Sequence, residues 1–236
     1  MFVVLALAIT TAAWAQMPPA PKGRIVVFGA TSETVLQAPA LAGSPEFSNS
    51  GRYWGLSGEV VAGKFSVAGR YQTGQAKTIP GGELFPPAPT FQPLTAEKGD
   101  VVDVVFGYRV ASNRMIGDVD VTAGYFRLWA SPKISPANWY EGPQFGLKGR
   151  RDFSNGMAVA YKVGYVPTYT VNGYVHKTLE QDDIWLFRLD GEVPVYRNFY
   201  VNGGWTHMRL EATATADNSP AIVTFGGFFV GGGYRF

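Results

Sequence analysis

The sequence predicts an all-β protein, a closed antiparallel up-and-down transmembrane β-barrel of about ten strands. Three observations carry this expectation. Apolar residues recur with period two along most of the chain, short and long connections alternate strictly between the periodic segments, and the two faces of each segment differ in size as well as polarity. An eight-stranded barrel with one reassigned hairpin is the alternative count.

The composition agrees with many strands and many turns. Charged residues make up 16% of the 236-residue chain and aromatics 14%, with 29 glycines, a mixture too aromatic for disorder and too glycine-rich for a helical bundle. A formal net charge of +2 speaks against a partner recruited by bulk charge, nucleic acid above all. Cysteine is absent, which excludes a disulfide framework, thiolate metal ligands and a thiol nucleophile.

"MFVVLALAITTAAWAQ" has an apolar run followed by Ala13-Trp14-Ala15, the small-x-small pattern of a signal peptidase site. Residues 1–15 are expected to be a signal peptide cleaved after Ala15, although no Lys or Arg precedes the apolar run. Thr10-Thr11 interrupts that run well short of the roughly 20 apolar residues a membrane anchor needs. "QMPPAPK" (16–22) is a Pro-rich leader unsuited to a sheet interior, and 23–236 is assigned to the barrel.

The first strand is placed at "GRIVVFGA" (23–30), because a strand must carry the chain up to the long connection that precedes residue 53. In 53–62 Trp54, Leu56, Val60 and Ala62 share one parity and Tyr53, Ser57 and Glu59 the other. After Gly63-Lys64, Phe65, Val67 and Tyr71 stand against Ser66, Arg70 and Gln72, completing a hairpin. In 100–110 Val102, Val104, Phe106, Tyr108 and Val110 oppose Asp103, Gly107 and Arg109; in 118–128 Val119, Val121, Ala123 and Tyr125 oppose Asp118, Asp120 and Thr122. A third hairpin sets Phe145 and Leu147 against Gln144, Lys148 and Arg150. Beyond the turn "FSNG" (153–156), Met157, Val159, Tyr161, Val163 and Tyr165 oppose Ala158, Ala160 and Lys162. A fourth sets Trp185, Phe187, Leu189 and Val193 against Arg188, Asp190 and Glu192, then, past "PVYRN" (194–198), Phe199, Val201 and Trp205 against Tyr200, Asn202 and Thr206. The last strand carries Phe228, Val230, Gly232, Tyr234 and Phe236 on one parity.

Short turns fall at 63–64, 111–116, 153–156 and 194–198, and long connections at 75–99, 130–140, 167–181 and 211–221. In a barrel crossing a bilayer the short turns share one end and the long loops the other. The non-apolar parity is rich in Gly, Ala, Ser and Thr with charges of both signs, as a narrow lumen requires, rather than in the long polar side chains of a solvated sheet face. Glycines 107, 124, 146, 164, 204, 227, 231 and 233 are read as lumen lining. On the apolar parity, Trp54, Tyr71, Tyr108, Tyr125, Tyr165, Trp185, Trp205, Phe228, Tyr234 and Phe236 are read as interfacial girdles facing lipid.

The closing segment "FFVGGGYRF" (228–236), with Phe228, Val230, Tyr234 and terminal Phe236, resembles the C-terminal signal by which bacterial outer-membrane β-barrel proteins are recognised by their assembly machinery. With the signal peptide and the strand meander, the resemblance covers nearly the whole chain and implies residence in the outer membrane of a diderm bacterium. It also implies contact with outer-membrane lipid and lipopolysaccharide and, through the last strand, with the barrel assembly machinery.

The inward parity collects Arg70, Arg109, Lys148, Arg150, Lys162 and Arg188 against Glu59, Asp103, Asp118, Asp120, Asp190 and Glu192. Their signs balance, so cross-strand ion pairs filling the lumen are expected, with a narrow ion or solute path as the alternative. Histidine occurs at positions 176 and 207. The omptin surface proteases resemble this chain in strand number, and lipid A deacylases and palmitoyltransferases in size and location. Omptin chemistry needs paired acids and an Asp-His pair at the outer rim. "WTHMRLE" (205–211) and "EQDDIW" (180–185) offer His207 with Asp182, Asp183 or Glu211, but no Asp-x-His spacing occurs and His207 lies on the lipid-facing parity. No Ser-His-acid arrangement, metal-ligand spacing or phosphate loop is visible, so no catalytic residue, metal or cofactor is assigned. The connection 76–98, stiffened by prolines 80, 86, 87, 89 and 93, and "SPKISPANWYE" (131–141), with Trp139 and Tyr140, are expected to form the outer, interacting surface. The expected function is a non-enzymatic outer-membrane barrel with a filled lumen and interacting loops; a small passive channel is the second reading and an omptin-like or lipid-modifying enzyme the third.

Overall fold

The computed structural model describes residues 22–37, 47–77, 96–132, 138–167, 170–172, 179–214 and 220–236. The signal peptide, most of the Pro-rich leader, most of the 76–98 connection and His176 lie outside them. The chain forms β1 (Lys22–Gln37), β2 (Phe47–Ala62), β3 (Phe65–Lys77), β4 (Ala96–Asn113), β5 (Gly117–Pro132), β6 (Asn138–Asp152), β7 (Ala158–Val166), β8 (Thr170–Asn172), β9 (Leu179–Tyr196), β10 (Phe199–Ala214) and β11 (Pro220–Arg235).

Every neighbouring pair is antiparallel, and β8 continues the line of β7 along β6, so the eleven segments make ten staves. Closure comes at β1 and β11, which pair from Arg24 opposite Arg235 to Gln37 opposite Ile222. At the foot of this seam Gly23 N–H donates to Phe236 O and Phe236 N–H to Gly23 O, both at 2.9 Å. No strand edge is left open there, which a sheet in hydrocarbon requires.

The turns at one end are tight. Gly63, at φ 62°, lets Gly63-Lys64 reverse the chain in two residues, a conformation that suits the strand twist. The turn read at 194–198 is shorter than the sequence suggests: β9 continues to Tyr196, and Arg197-Asn198 reverses the chain with Arg197 at φ 49°. The stave count is ten rather than eight because the first strand runs to Gln37 and pairs along its whole length with β2.

Alternation sorts the side chains by face. Val27 (60% exposed), Trp54 (59%) and Phe106 (63%) point away from the barrel, whereas Val105 (1%) and Phe126 (1%) point in. Charge returns to the outward face about ten residues up the strands: Glu33 is ten beyond Gly23, Arg52 ten before Ala62, Asp100 ten before Val110, Arg127 ten beyond Gly117, Arg209 ten beyond Phe199. Ten residues at about 3.4 Å, tilted by about 40°, span roughly 26 Å, the height of the apolar band of a membrane barrel. Between those charges and the short turns, Tyr apart, the described strands carry two titratable outward side chains, His207 and, at the turn end of β6, Arg151. Aromatic pairs mark both rims: Phe65 with Tyr108 (5.3 Å between ring centroids) and Phe199 with Tyr234 (5.0 Å) at the short-turn end, Trp54 with Tyr71 (6.4 Å) and Tyr165 with Trp185 (4.6 Å) towards the other.

Candidate functional site

The lumen is built in three layers. At the short-turn end, Glu192 on β9 is fully buried and takes Arg150 of β6 in a two-pronged pair (2.7 and 2.9 Å), Arg235 of β11 at 2.8 Å, and Arg24 of β1. Arg24 also reaches Glu59 of β2 at 2.9 Å, and Lys148 of β6 crosses the lumen to the same carboxylate. Arg109 lies 2.9 Å from Asp118 and 3.5 Å from Asp120, which accepts a hydrogen bond from the Ser66 hydroxyl at 2.8 Å.

Above this, the central layer holds Arg70, Asp103, Lys162, Arg188 and Asp190. The Lys162 ammonium on β7 meets both Asp103 oxygens on β4, at 2.5 and 2.7 Å, again across the barrel. Arg188 clasps Asp190 of its own strand at 2.6 to 2.9 Å, and its guanidinium lies 4.6 Å from the Phe229 ring centroid. Arg70 donates from Nη2 to Gln72, lies 5.3 Å from the Phe28 ring centroid, and has no hydrogen-bond partner at Nε. A cavity of about 130 Å³ runs between these two layers.

The third layer corrects the sequence reading. The sequence predicts an inward face dominated by small and charged residues, but towards the long-loop end Phe126, Leu128, Val166, Ile184, Met208 and Leu210 point inward and form one buried cluster, with Val101, Tyr140, Leu186 and Phe225 packed on it. A second inward group, Val26, Phe28, Tyr200 and Phe229, lies lower. All twelve charged residues collected from the sequence stand on the inward parity, and Arg24 on β1 and Arg235 on β11 join them. The balance of six against six therefore becomes, among the described residues that meet in the lumen, eight cations against seven carboxylates, Asp152 beside Arg150 at the rim included.

His207 points outward. Its ring stacks on Trp205 at 5.4 Å between centroids and lies 6.3 Å from Phe187. Glu211, on the same face, pairs with Arg209 at 2.9 Å. The side chain of Asp182 lies outside what is described, and among the described residues no group of three His, Cys, Asp or Glu is placed to hold a metal. At the chain terminus, Phe228, Val230, Tyr234 and Phe236 all face outward, and the Phe236 ring covers Gly23, whose Cβ position it occupies to within 2.3 Å.

No family model and no curated protein matches the sequence. Among solved structures, the chain is similar to the outer-membrane protease OmpT from Escherichia coli, with a TM-score of 0.54 at 10% identity, covering 96% of this chain and 100% of that one. It also matches an outer-membrane channel from Pseudomonas putida F1 (TM-score 0.43, 11% identity, 95% and 98% covered) and Ail, the attachment invasion locus protein of Yersinia pestis (TM-score 0.31, 11% identity, 91% and 99% covered). At such identities likeness speaks to fold alone. In its closed, ten-stave antiparallel architecture, this chain has the fold of the bacterial outer-membrane β-barrels.

Proposed function

We propose that this protein is an integral outer-membrane barrel that neither conducts nor catalyses, and whose specific role lies in the long loops it holds at the cell surface. The observation that carries this is the lumen: two sets of ion pairs cross it, and an apolar layer lies between them and the long-loop end. Outer-membrane residence is supported by the apolar outward band, whose one charged side chain among the described residues, Arg151, stands at its turn-side edge, and by its two aromatic rims. The partners expected on this basis are outer-membrane lipid and lipopolysaccharide around the band, and the barrel assembly machinery at the outward row Phe228, Val230, Tyr234 and Phe236. Against an enzyme stands His207, whose ring packs among aromatics on the lipid side rather than beside a carboxylate in the lumen.

Refolded protein in planar bilayers is the test. The expected result is no steady current steps above background; steady openings altered by Lys148→Ala or Asp120→Ala would make the protein a channel. Hydrolysis of peptides or lipid A by the same preparation, lost in His207→Ala, would make it an enzyme.

A further inference from the structure

The charge count of the lumen is uneven in a particular place. At the short-turn end, Arg24, Arg109, Lys148, Arg150 and Arg235 face Glu59, Asp118, Asp120 and Glu192, and Asp152, 2.9 Å from Arg150, makes the count even at a rim open to solvent. The central layer is different. It holds Arg70, Lys162 and Arg188 but only Asp103 and Asp190, so however the two carboxylates are shared, one positive charge remains. The solvated rim lies on one side of it and the apolar layer of Phe126, Ile184 and Leu210 on the other.

The Lys162 ammonium is held charged by both Asp103 oxygens, the arginines do not lose their protons, and an uncompensated ion in a low-dielectric interior is strongly disfavoured. The rings of Phe28 and Phe229 soften the cost through their faces, but they do not cancel a full charge. Arg70 also keeps Nε–H buried with nothing to donate to. The cavity of about 130 Å³ is lined by charges of both signs, with Glu59, Asp118 and Asp120 towards the rim; at its central end Arg70, Lys162 and Arg188 outnumber Asp103 and Asp190 around space that can hold a small guest.

We propose that this cavity is a binding site for one small monovalent inorganic anion of halide size, held by Arg70 with Lys162 and Arg188 around it. The guest supplies the missing negative charge and accepts the orphan Nε–H. This site does not depend on whether the lumen conducts, since the charge imbalance is present either way.

The test uses the whole mature chain refolded in detergent, with sodium bromide or sodium gluconate at one fixed ionic strength. Bromide is expected to raise the melting temperature saturably, by about 5–10 °C at a hundredfold excess over its Kd, and gluconate, a bulky and weakly associating carboxylate, is expected to raise it less. Crystals grown in bromide are expected to show an anomalous peak within hydrogen-bond reach of Arg70 Nε. In Arg70→Gln both effects are expected to vanish. Equal melting temperatures in the two salts, or bromide peaks confined to the outer surface, would overturn the proposal. Because the anomalous peak is read on the unsubstituted protein, failure of Arg70→Gln to fold leaves the test intact.

Discussion

Glu192 shows how one residue can hold four staves. Its carboxylate receives Arg24 of the first strand, Arg150 of β6 and Arg235 of the last, so it ties the β1–β11 seam to the opposite wall. Removing the charge of the fully buried carboxylate takes the shared partner from three guanidiniums, and breaking a buried pair in this way costs up to about 3–5 kcal/mol. Glu192→Gln is therefore expected to lower the urea midpoint of the barrel in lipid vesicles markedly. Asp152→Asn, which removes an exposed partner of the same Arg150, is expected to cost about 1 kcal/mol or less. Equal effects of the two substitutions would mean that the cluster is solvated and that Glu192 is not its anchor. His207 belongs to the same scale: packed against Trp205 and Phe187 on the lipid face, it acts by shape, so His207→Phe is expected to leave stability within about 0.5 kcal/mol, as measured by the same denaturation.

At the scale of elements the seam is the most demanding part of the fold. A Cβ on Gly227 would stand 1.7 Å from the carbonyl oxygen of Thr31 across it, with no flexible side chain there to give way. Gly227→Val is expected to prevent closure. The readout is heat-modifiable migration: the unsubstituted protein should run as a compact band until boiled, and the variant at the unfolded position in both lanes. Phe236→Ala keeps the reciprocal backbone hydrogen bonds to Gly23 but uncovers that glycine and removes the terminal aromatic. If the terminal row is read by the assembly machinery, this variant should refold normally in vitro and yet accumulate several-fold less in the outer membrane; normal accumulation would deny the row that role. The element pattern was legible because each membrane-facing stretch alternates cleanly, as Val102 to Val110 does against Asp103 to Arg109. The ends were less so. β2 reaches back to Phe47 and β1 on to Gln37 because backbone pairing continues past the apolar band, where nothing requires alternation to persist. Arg235 is hidden for a related reason: it stands inward between Tyr234 and Phe236, which belong to a row of outward aromatics.

The molecule as a whole has two barriers in series, and only the lower one could be read from the chain. Inward charges announce themselves by parity, since Glu59, Asp103 and Lys162 interrupt otherwise apolar or small runs. The upper barrier does not, because in "YFRLWA" and "DIWLF" apolar residues occupy both parities and no local contrast marks the lumen face; the inward turn of Phe126, Leu128 and Ile184 follows only from carrying the parity of Asp120 and Asp190 along unbroken strands. Two barriers in series make a distinctive prediction for conductance. Trimming the apolar layer with Phe126→Ala, Ile184→Ala and Leu210→Ala admits water from the long-loop end, but the Lys162–Asp103 and Lys148–Glu59 bridges still cross the path. Truncation of this kind costs about 2–5 kcal/mol per residue in a sealed core, and less where water fills the space, while the hydrogen-bonded wall is untouched. Conversely, Lys162→Ala and Asp103→Ala together with Lys148→Ala and Glu59→Ala remove both crossing bridges and leave the apolar layer closed. Each set alone is expected to stay near background in planar bilayers, and the combination of both to give steady openings. Full openings from the apolar set alone would show that the charged layers pass ions freely, and would place the barrier in the upper layer only.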